Sequence, residues 1–378
     1  MRVVHVSCFR DQGDRDAETL LHEWGTLTGV AAGVRRAGGE VTVVQAAAAD
    51  ARVEREGVPF HFVREARPPG ATLIFARAAP LPFRSARVIA GCRPEVIHFH
   101  GLSFPLQTML LARRFPGVRL LLQDHADAPL AGWRGRAQRR ALRSATTVAF
   151  TACEQAAPFR RAGVLGDAAR VREVCEGSSA FTPGDRAEAR ARTGMTGDPA
   201  VLCVGDLSEG KDPLTTLALI ALAGETLTGL QLWWIYRSAP LLDAVRARIA
   251  GDPLLADRVH LVGPVDPTQM EAWYRGADYF VSASRREGSG YAAIEALACG
   301  TPAILSDIPS FRRIADDGRA GALFPMGDAL AGARALVDLE RGDRGELRRR
   351  ARARFEAELS FDAIGHRLVA LYQEALSA

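Results

Sequence analysis

The chain has 378 residues, 48% of them hydrophobic and 24% charged, with a formal net charge of +4. That length suits two domains, and the composition is that of a globular chain rather than a disordered or fibrous one. With no run of about 18 apolar residues, no apolar leader and little net charge, neither a membrane span, nor secretion, nor a nucleic-acid partner is expected.

Six cysteines (Cys8, Cys92, Cys153, Cys175, Cys203 and Cys299) are scattered without Cys-x-x-Cys spacing. They read as reduced core residues of a cytoplasmic protein. Of the 48 basic residues 47 are arginine, and asparagine is absent, which suggests a GC-rich genome. The one lysine, Lys211, is therefore either a chance survivor or a functional group, since a compact ammonium does not interchange with a guanidinium.

In chain order, the first half alternates strand and helix patterns. Residues 3–6 predict a strand and 22–36 a helix ending at Gly38-Gly39. Strands follow at 41–44 and 60–63, then a loop and helix over 75–90 around Pro80 and Pro82. A strand at 96–100 (V-I-H-F-H), a helix at 106–114 and strands at 119–122 and 147–150 complete this half. Such alternation argues a parallel sheet with helices on both faces. Ligands of such sheets sit beyond the carboxyl ends of the strands. That rule groups the loop 7–13, ending at Gly13, with His98, His100 and Gly101 and with Gln123, Asp124 and His125. One histidine at a strand end is commonly structural; three polar strand ends together point to a binding surface.

Between them lies the run from Trp133 to Arg143, W-R-G-R-A-Q-R-R-A-L-R. It reads either as a solvated helix face or as a peripheral contact with anionic lipid headgroups. Residues 176–199 are rich in Gly, Ser, Thr and Pro and read as an interdomain linker. The second half repeats the alternation, with strands at 200–204, 230–235, 259–262, 279–283, 303–305 and 322–324. Helices are expected from Leu214, over 241–249, 270–275 and 291–299, and as an amphipathic tail over 360–376.

The stretch 286–302, R-E-G-S-G-Y-A-A-I-E-A-L-A-C-G-T-P, carries the most chemistry. A small-residue loop feeds a helix N-terminus, a ready site for an anion or a sugar. Inside that helix Glu295 is the one charge among apolar residues and needs partners. A bland reading lets it reach solvent or a structural arginine.

Two glutamates seven residues apart, Glu287 and Glu295, with Gly288, Ser289 and Gly290 after the first and A-C-G-T-P closing the helix, resemble the E-x7-E motif of retaining GT-B glycosyltransferases, most of all family 4. The resemblance implies an α/β GT-B fold, two Rossmann-like doubly wound domains facing across a cleft. Its expected parts are an acceptor-side domain (1–180), a linker (181–198), a nucleotide-sugar domain (199–359) and a helix (360–378) returning to the first domain. It implies Glu287, Gly288, Ser289 and Gly290 at the donor sugar, Glu295 on the ribose, and Gly205 and Lys211 at the diphosphate. His125 resembles the family's histidine near the sugar; with Lys211 and Glu287 it is the expected catalytic set. Gly13, His100 and Gly101 are expected on the acceptor side. The donor is then a nucleotide-diphosphate sugar, with no cofactor; no Asp-x-Asp stands where a metal site would be expected, and the acceptor is unnamed.

One departure stands out. V-G-D-L-S-E-G-K places Asp206 where the family pattern has an arginine. Asp206 either turns away to pair with a neighbour, or Arg237, Arg285 or Arg286 supplies the missing charge, or activity is altered. A sugar-nucleotide- or glycan-binding protein without turnover is the alternative function. Base selection is expected at Val262-Gly263-Pro264.

Overall fold

The computed structural model describes residues 1–11, 13, 15–23, 25–65 and 80–377. The chain divides into two compact units, Met1–Ser178 together with Phe361–Ala378, and Ser179–Ser360.

Among the described residues the first unit is built on eight strands: β1 (Arg2–Ser7), β2 (Glu40–Ala46), β3 (Ala51–Arg55), β4 (Val58–Val63), β5 (Val96–His100), β6 (Arg119–Gln123), β7 (Thr147–Phe150) and β8 (Val171–Glu173). Their order is β3-β4-β2-β1-β5-β6-β7-β8. Every pair is parallel except β3 with β4. The central strands are buried on both faces and mostly apolar, with His5, His98, His100 and Gln123 as the buried polar exceptions. Val4, Val6, Ile97, Phe99, Leu122 and Phe150 form their core.

The β3–β4 hairpin departs from the expected all-parallel sheet. Glu56 and Gly57 both take positive φ (52° and 72°), the geometry of a two-residue turn whose twist suits a hairpin. Strand β3 is a half-buried edge written A-R-V-E-R, too polar to register as a strand. Strand β8 and the short helix Ala157–Arg161 were likewise not expected. The helix expected over 22–36 spans Gly25–Arg36, preceded by a separate helix Ala17–Glu23. Helix Phe83–Cys92 follows Pro82; the loop expected over 75–79 lies outside the described residues.

The last helix, Phe361–Ser377, packs on Gly25–Arg36. The two meet backbone to backbone at Gly33 and Gly365: a Cβ on Gly365 would fall 2.2 Å from the Gly33 carbonyl. The contact is flanked by ion pairs of Arg36 with Asp362 and Arg172 with Glu374.

The second unit has six parallel strands: β9 (Ala200–Val204), β10 (Gln231–Ile235), β11 (Val259–Gly263), β12 (Tyr279–Ser282), β13 (Ala303–Ser306) and β14 (Gly321–Phe324). Their order is β11-β10-β9-β12-β13-β14. Val201, Cys203, Leu232, Trp234, Val281 and Ile304 fill its core. The stretch expected as a linker, 181–198, carries a helix of this unit, Arg186–Thr193, capped by Asp185 and stopped at Gly194. Asp278, just before β12, is fully buried and ties that helix down through Arg186 and Arg190. The same carboxylate accepts the Ala200 N–H at 2.8 Å, so the charge is buried with partners rather than orphaned.

Each sheet has one point where strand order reverses, between β1 and β5 in the first unit and between β9 and β12 in the second. Crevices at such points are where doubly wound sheets take ligands.

Candidate active site

In the second unit, the loops leaving β9 and β12 meet at the reversal point. The β9 loop runs from Gly205 through Lys211 into helix Pro213–Gly224. The β12 loop runs to Gly290, the N-cap of helix Tyr291–Ala298. Gly290 has φ 67°, and a Cβ there would sit 2.6 Å from the Phe311 ring, so no larger residue fits. Three bonds join the loops. The Arg285 N–H donates to the Gly210 carbonyl at 2.9 Å. The Arg285 guanidinium pairs with Asp212, whose other oxygen caps Thr215 of the following helix. Lys211 Nζ pairs with Glu287 Oε1 at 2.5 Å. The lysine stem lies over Gly205, whose carbonyl accepts from the Trp234 indole.

Glu295, one helical turn inside, is half-buried and accepts a 2.7 Å hydrogen bond from the Tyr274 hydroxyl. Burial pushes its carboxyl up to about 7, the Tyr274 bond only partly opposing this. Its hydrogen-bond partner is the Tyr274 phenol, which neither sequence reading of Glu295 included.

Asp206 turns to its own unit: its Oδ1 accepts the Ser238 N–H at 2.9 Å, fastening the β9 loop to the loop after β10. Arg285 is committed to Asp212, while Arg237 and Arg286 are exposed at the carboxyl ends of β10 and β12. Gly263 closes β11 with φ 82°, its carbonyl accepting from Tyr236.

In the first unit, Gly13 follows β1, and its N–H is taken by Asp11. Asp11 also binds Arg15, whose guanidinium, with the backbone N–H groups of Arg15 and Gly13, holds that carboxyl down at about 2. Gly101, φ 98°, turns the chain out of β5. Asp127 clasps the turn by accepting from the Leu102 N–H (2.6 Å) and the Ser103 hydroxyl. His100 Nδ1 and His125 Nε2 are 3.0 Å apart, and His125 Nδ1 meets Glu176 at 2.7 Å. Both ring nitrogens of His125 are thus engaged. Burial opposes a charge on His125, but Glu176, Asp127 and Asp124 outweigh it and set its pKa above the ordinary value. Asp124 is itself pushed up to about 7 by burial beside Asp127 and Glu176. Behind them His5, His98 and His100 bring ring nitrogens within 4.8 Å of one another, a spacing that could hold a metal ion, but His5 and His100 use both nitrogens in hydrogen bonds and His98 one.

Sequence reading placed Lys211, Glu287, Glu295, His100 and His125 but not their partners. Tyr274, Asp11, Asp127, Glu176 and Tyr372 act through contacts remote in sequence or inside polar loops; only the Asp-x-Gly turn at Asp11 left a local signal.

Both halves of the chain match known families. Residues 26–171 match the family Glycosyltransferase Family 4, and residues 198–341 match Glycosyl transferases group 1. The chain belongs to the family 4, group 1 glycosyltransferases. Among curated members of this family, it is 36% identical over 151 residues to the D-inositol 3-phosphate glycosyltransferase 2 of Catenulispora acidiphila, covering 38% of this chain and 35% of that one. It is 35% identical over 146 residues to the phosphatidyl-myo-inositol mannosyltransferase of Mycobacterium leprae, covering 38% and 37%. The match thus spans little more than a third of those relatives. The fold is that of solved GT-B glycosyltransferases. Sucrose-phosphate synthase of Thermosynechococcus elongatus matches with a TM-score of 0.71 at 22% identity, over 100% of this chain and 99% of that one. Anabaena HepE in complex with UDP and glucose matches with 0.70 at 15%, over 99% and 100%.

Proposed function

We propose that this chain is a retaining glycosyltransferase that moves a sugar from a nucleotide-diphosphate sugar to an acceptor hydroxyl, in a bacterial cytoplasm and without a metal ion. The observation that carries the reading is the Lys211–Glu287 pair at the strand reversal of the second unit. A departing diphosphate needs a cation, and Lys211 is the cation delivered there; the solved relative holding UDP and glucose supports a nucleotide sugar as donor. Glu287 holds the ammonium in place before the donor arrives and then turns to sugar hydroxyls. Glu295 receives the ribose hydroxyls. The helix N-terminus at Tyr291 adds positive potential. The new bond forms on the face the nucleotide leaves, the departing phosphate taking the acceptor's proton; the protein contributes orientation and charge.

Asp206 belongs to this reading as a loop fastener. Its carboxylate is spent on the Ser238 N–H, and Arg237 and Arg286 stand in for the family arginine.

The test is donor hydrolysis without acceptor, over UDP-, GDP-, ADP- and dTDP-sugars. One donor should release its nucleotide, and Lys211→Ala and Glu287→Ala should each lower release about 100-fold or more. Asp206→Arg should lower it as well, by freeing the loop. Release rising in Asp206→Arg, or tight binding of a nucleotide sugar without turnover, would instead make this a binding protein with a decayed site.

Among the described residues no helix is long and apolar enough to cross a membrane. Helix Gly132–Arg143 nevertheless buries Gly135, Gln138, Ala141 and Leu142 and exposes Trp133 and five arginines. Arg143 also lines a 520 Å³ pocket with Arg119 and Arg170. We read this face as a peripheral contact for an anionic membrane carrying the acceptor. The chain should co-sediment with vesicles containing phosphatidylserine or phosphatidylinositol and not with pure phosphatidylcholine. Substituting Arg136, Arg139 and Arg140 by Glu should abolish this; unchanged sedimentation of that variant would remove the helix from the account.

A further inference from the structure

His125 stands at the end of a hydrogen-bonded chain that runs through the sheet of the first unit. From the outside inward it reads Glu176 to His125 (2.7 Å), His125 to His100 (3.0 Å), His100 to His5 (3.2 Å), His5 to the Tyr372 hydroxyl (3.0 Å) and Tyr372 to His98 (2.6 Å). The topology makes it. His5 and His98 are register partners on β1 and β5, and His100 lies two residues on, on the same face. Tyr372 reaches down from helix Phe361–Ser377, and Glu176 follows β8. His5, His98 and Tyr372 are fully buried, and His100 nearly so.

Such a chain has only two consistent directions, because each neutral imidazole has one donor and one acceptor nitrogen. An ionised carboxylate can only accept. With Glu176 ionised, His125 must donate from Nδ1, leaving Nε2 to accept from His100 Nδ1–H. The same logic passes on: His5 Nδ1–H to His100, Tyr372 O–H to His5, and His98 Nδ1–H to Tyr372. The one atom left over is then His98 Nε2, bare of hydrogen. That atom is buried and makes no hydrogen bond. The opposite direction, which a charged His125 would impose, would put an N–H there beside Gln123, whose carbonyl oxygen is also buried and unpaired. The direction therefore rests on Glu176 and on a neutral His125.

We propose that Glu176 sets the direction of this chain and holds His125, His100, His5 and His98 as Nδ1–H tautomers, so that Glu176 and His100 are positioning residues for His125. This rests on the reading of His125 as part of the sugar site. His125 then offers no free ring nitrogen to a substrate; it contributes a ring whose orientation and tautomer are fixed by Glu176 and His100. The deep histidines stay neutral: burial holds His5 down at about 3 and keeps His98 and His100 well below the usual range.

The test is imidazole nitrogen NMR on the full chain labelled at histidine, without donor, at a pH where His125 is neutral. All four rings should show Nδ1 protonated and Nε2 bare. Tyr372→Phe should scramble His98 alone, because His5, His100 and His125 take their order from Glu176. Glu176→Gln, whose amide both donates and accepts, should mix the two directions along the chain and lower the His125 pKa by about one unit or more. A protonated Nε2 at His100 or His5 in the parent chain, or reordering of His125 by Tyr372→Phe, would overturn the proposal. If Glu176→Gln fails to fold, the other two measurements still decide. These readouts use resting protein, so a failed donor-hydrolysis assay would count against the function and leave the chain standing.

Discussion

Glu287 and Glu295 share a side chain but not a state. Glu287 sits against an ammonium, Glu295 against a phenol in an apolar helix. Burial lifts the Glu295 carboxyl from an ordinary 4.5 to about 7 in the folded protein. Its folded pKa is above the unfolded one, so its contribution to stability is full below the unfolded value and is lost as pH rises through about 7. Donor binding runs the other way. Under the proposed role of Glu295, ribose hydroxyls donate to its carboxylate, and below about 7 a donor must expel a proton to bind. Donor affinity should therefore rise with pH from 6 to 8 by up to about tenfold. Calorimetry in buffers of different ionisation enthalpy should show proton release at the lower pH. Glu295→Gln should flatten both; a parent affinity independent of pH would contradict the assignment. Both glutamates stood out in the sequence because one follows an apolar strand in a small-residue loop and the other is the one charge in an apolar helix. Tyr274 did not, since nothing local ties it to Glu295, 21 residues later.

At the scale of elements, apolar runs were the dependable signal. Strands β5, β7 and β9 fall where alternation placed them, because strands buried on both faces read as mostly apolar runs, the histidines of β5 being the exception. Strand β3 escaped because Arg52 and Glu54 face water and only Ala51 and Val53 give an apolar signal. Helix Arg186–Thr193 escaped because the Gly-, Ser-, Thr- and Pro-rich residues on either side of it read as a linker, although R-A-E-A-R-A-R-T is itself a helix-forming run; Asp278 holds it down from 88 residues away. The β12 loop shows the reverse case. Gly290 was legible as part of a motif, while the reason for glycine, the Phe311 ring beneath it, belongs to packing.

For the whole molecule, two doubly wound units could be read from one repeat of alternation after another. What the pattern did not carry is how the tail closes the first unit. Helix Phe361–Ser377 meets Gly25–Arg36 with no side chain between Gly33 and Gly365. Gly365→Ala should force the helices apart and cost about 2 kcal/mol or more of stability. The same variant should weaken protection of the His5 and His98 rings from solvent, by drawing Tyr372 away. Thermal unfolding and histidine exchange check it; an unchanged midpoint would mean the helices yield at no cost.

That closure also imposes an order in time. A ribosome makes residues 1–178 first, then all of the second unit, and only then the helix that brings Tyr372 to His5 and His98. Throughout that interval helix Gly25–Arg36 waits with its Gly33 side uncovered and the inner imidazoles lack the phenol. The second unit, contiguous in sequence, has no such debt and can finish before its elder neighbour. The nascent first half is therefore the stretch that chaperones must shelter.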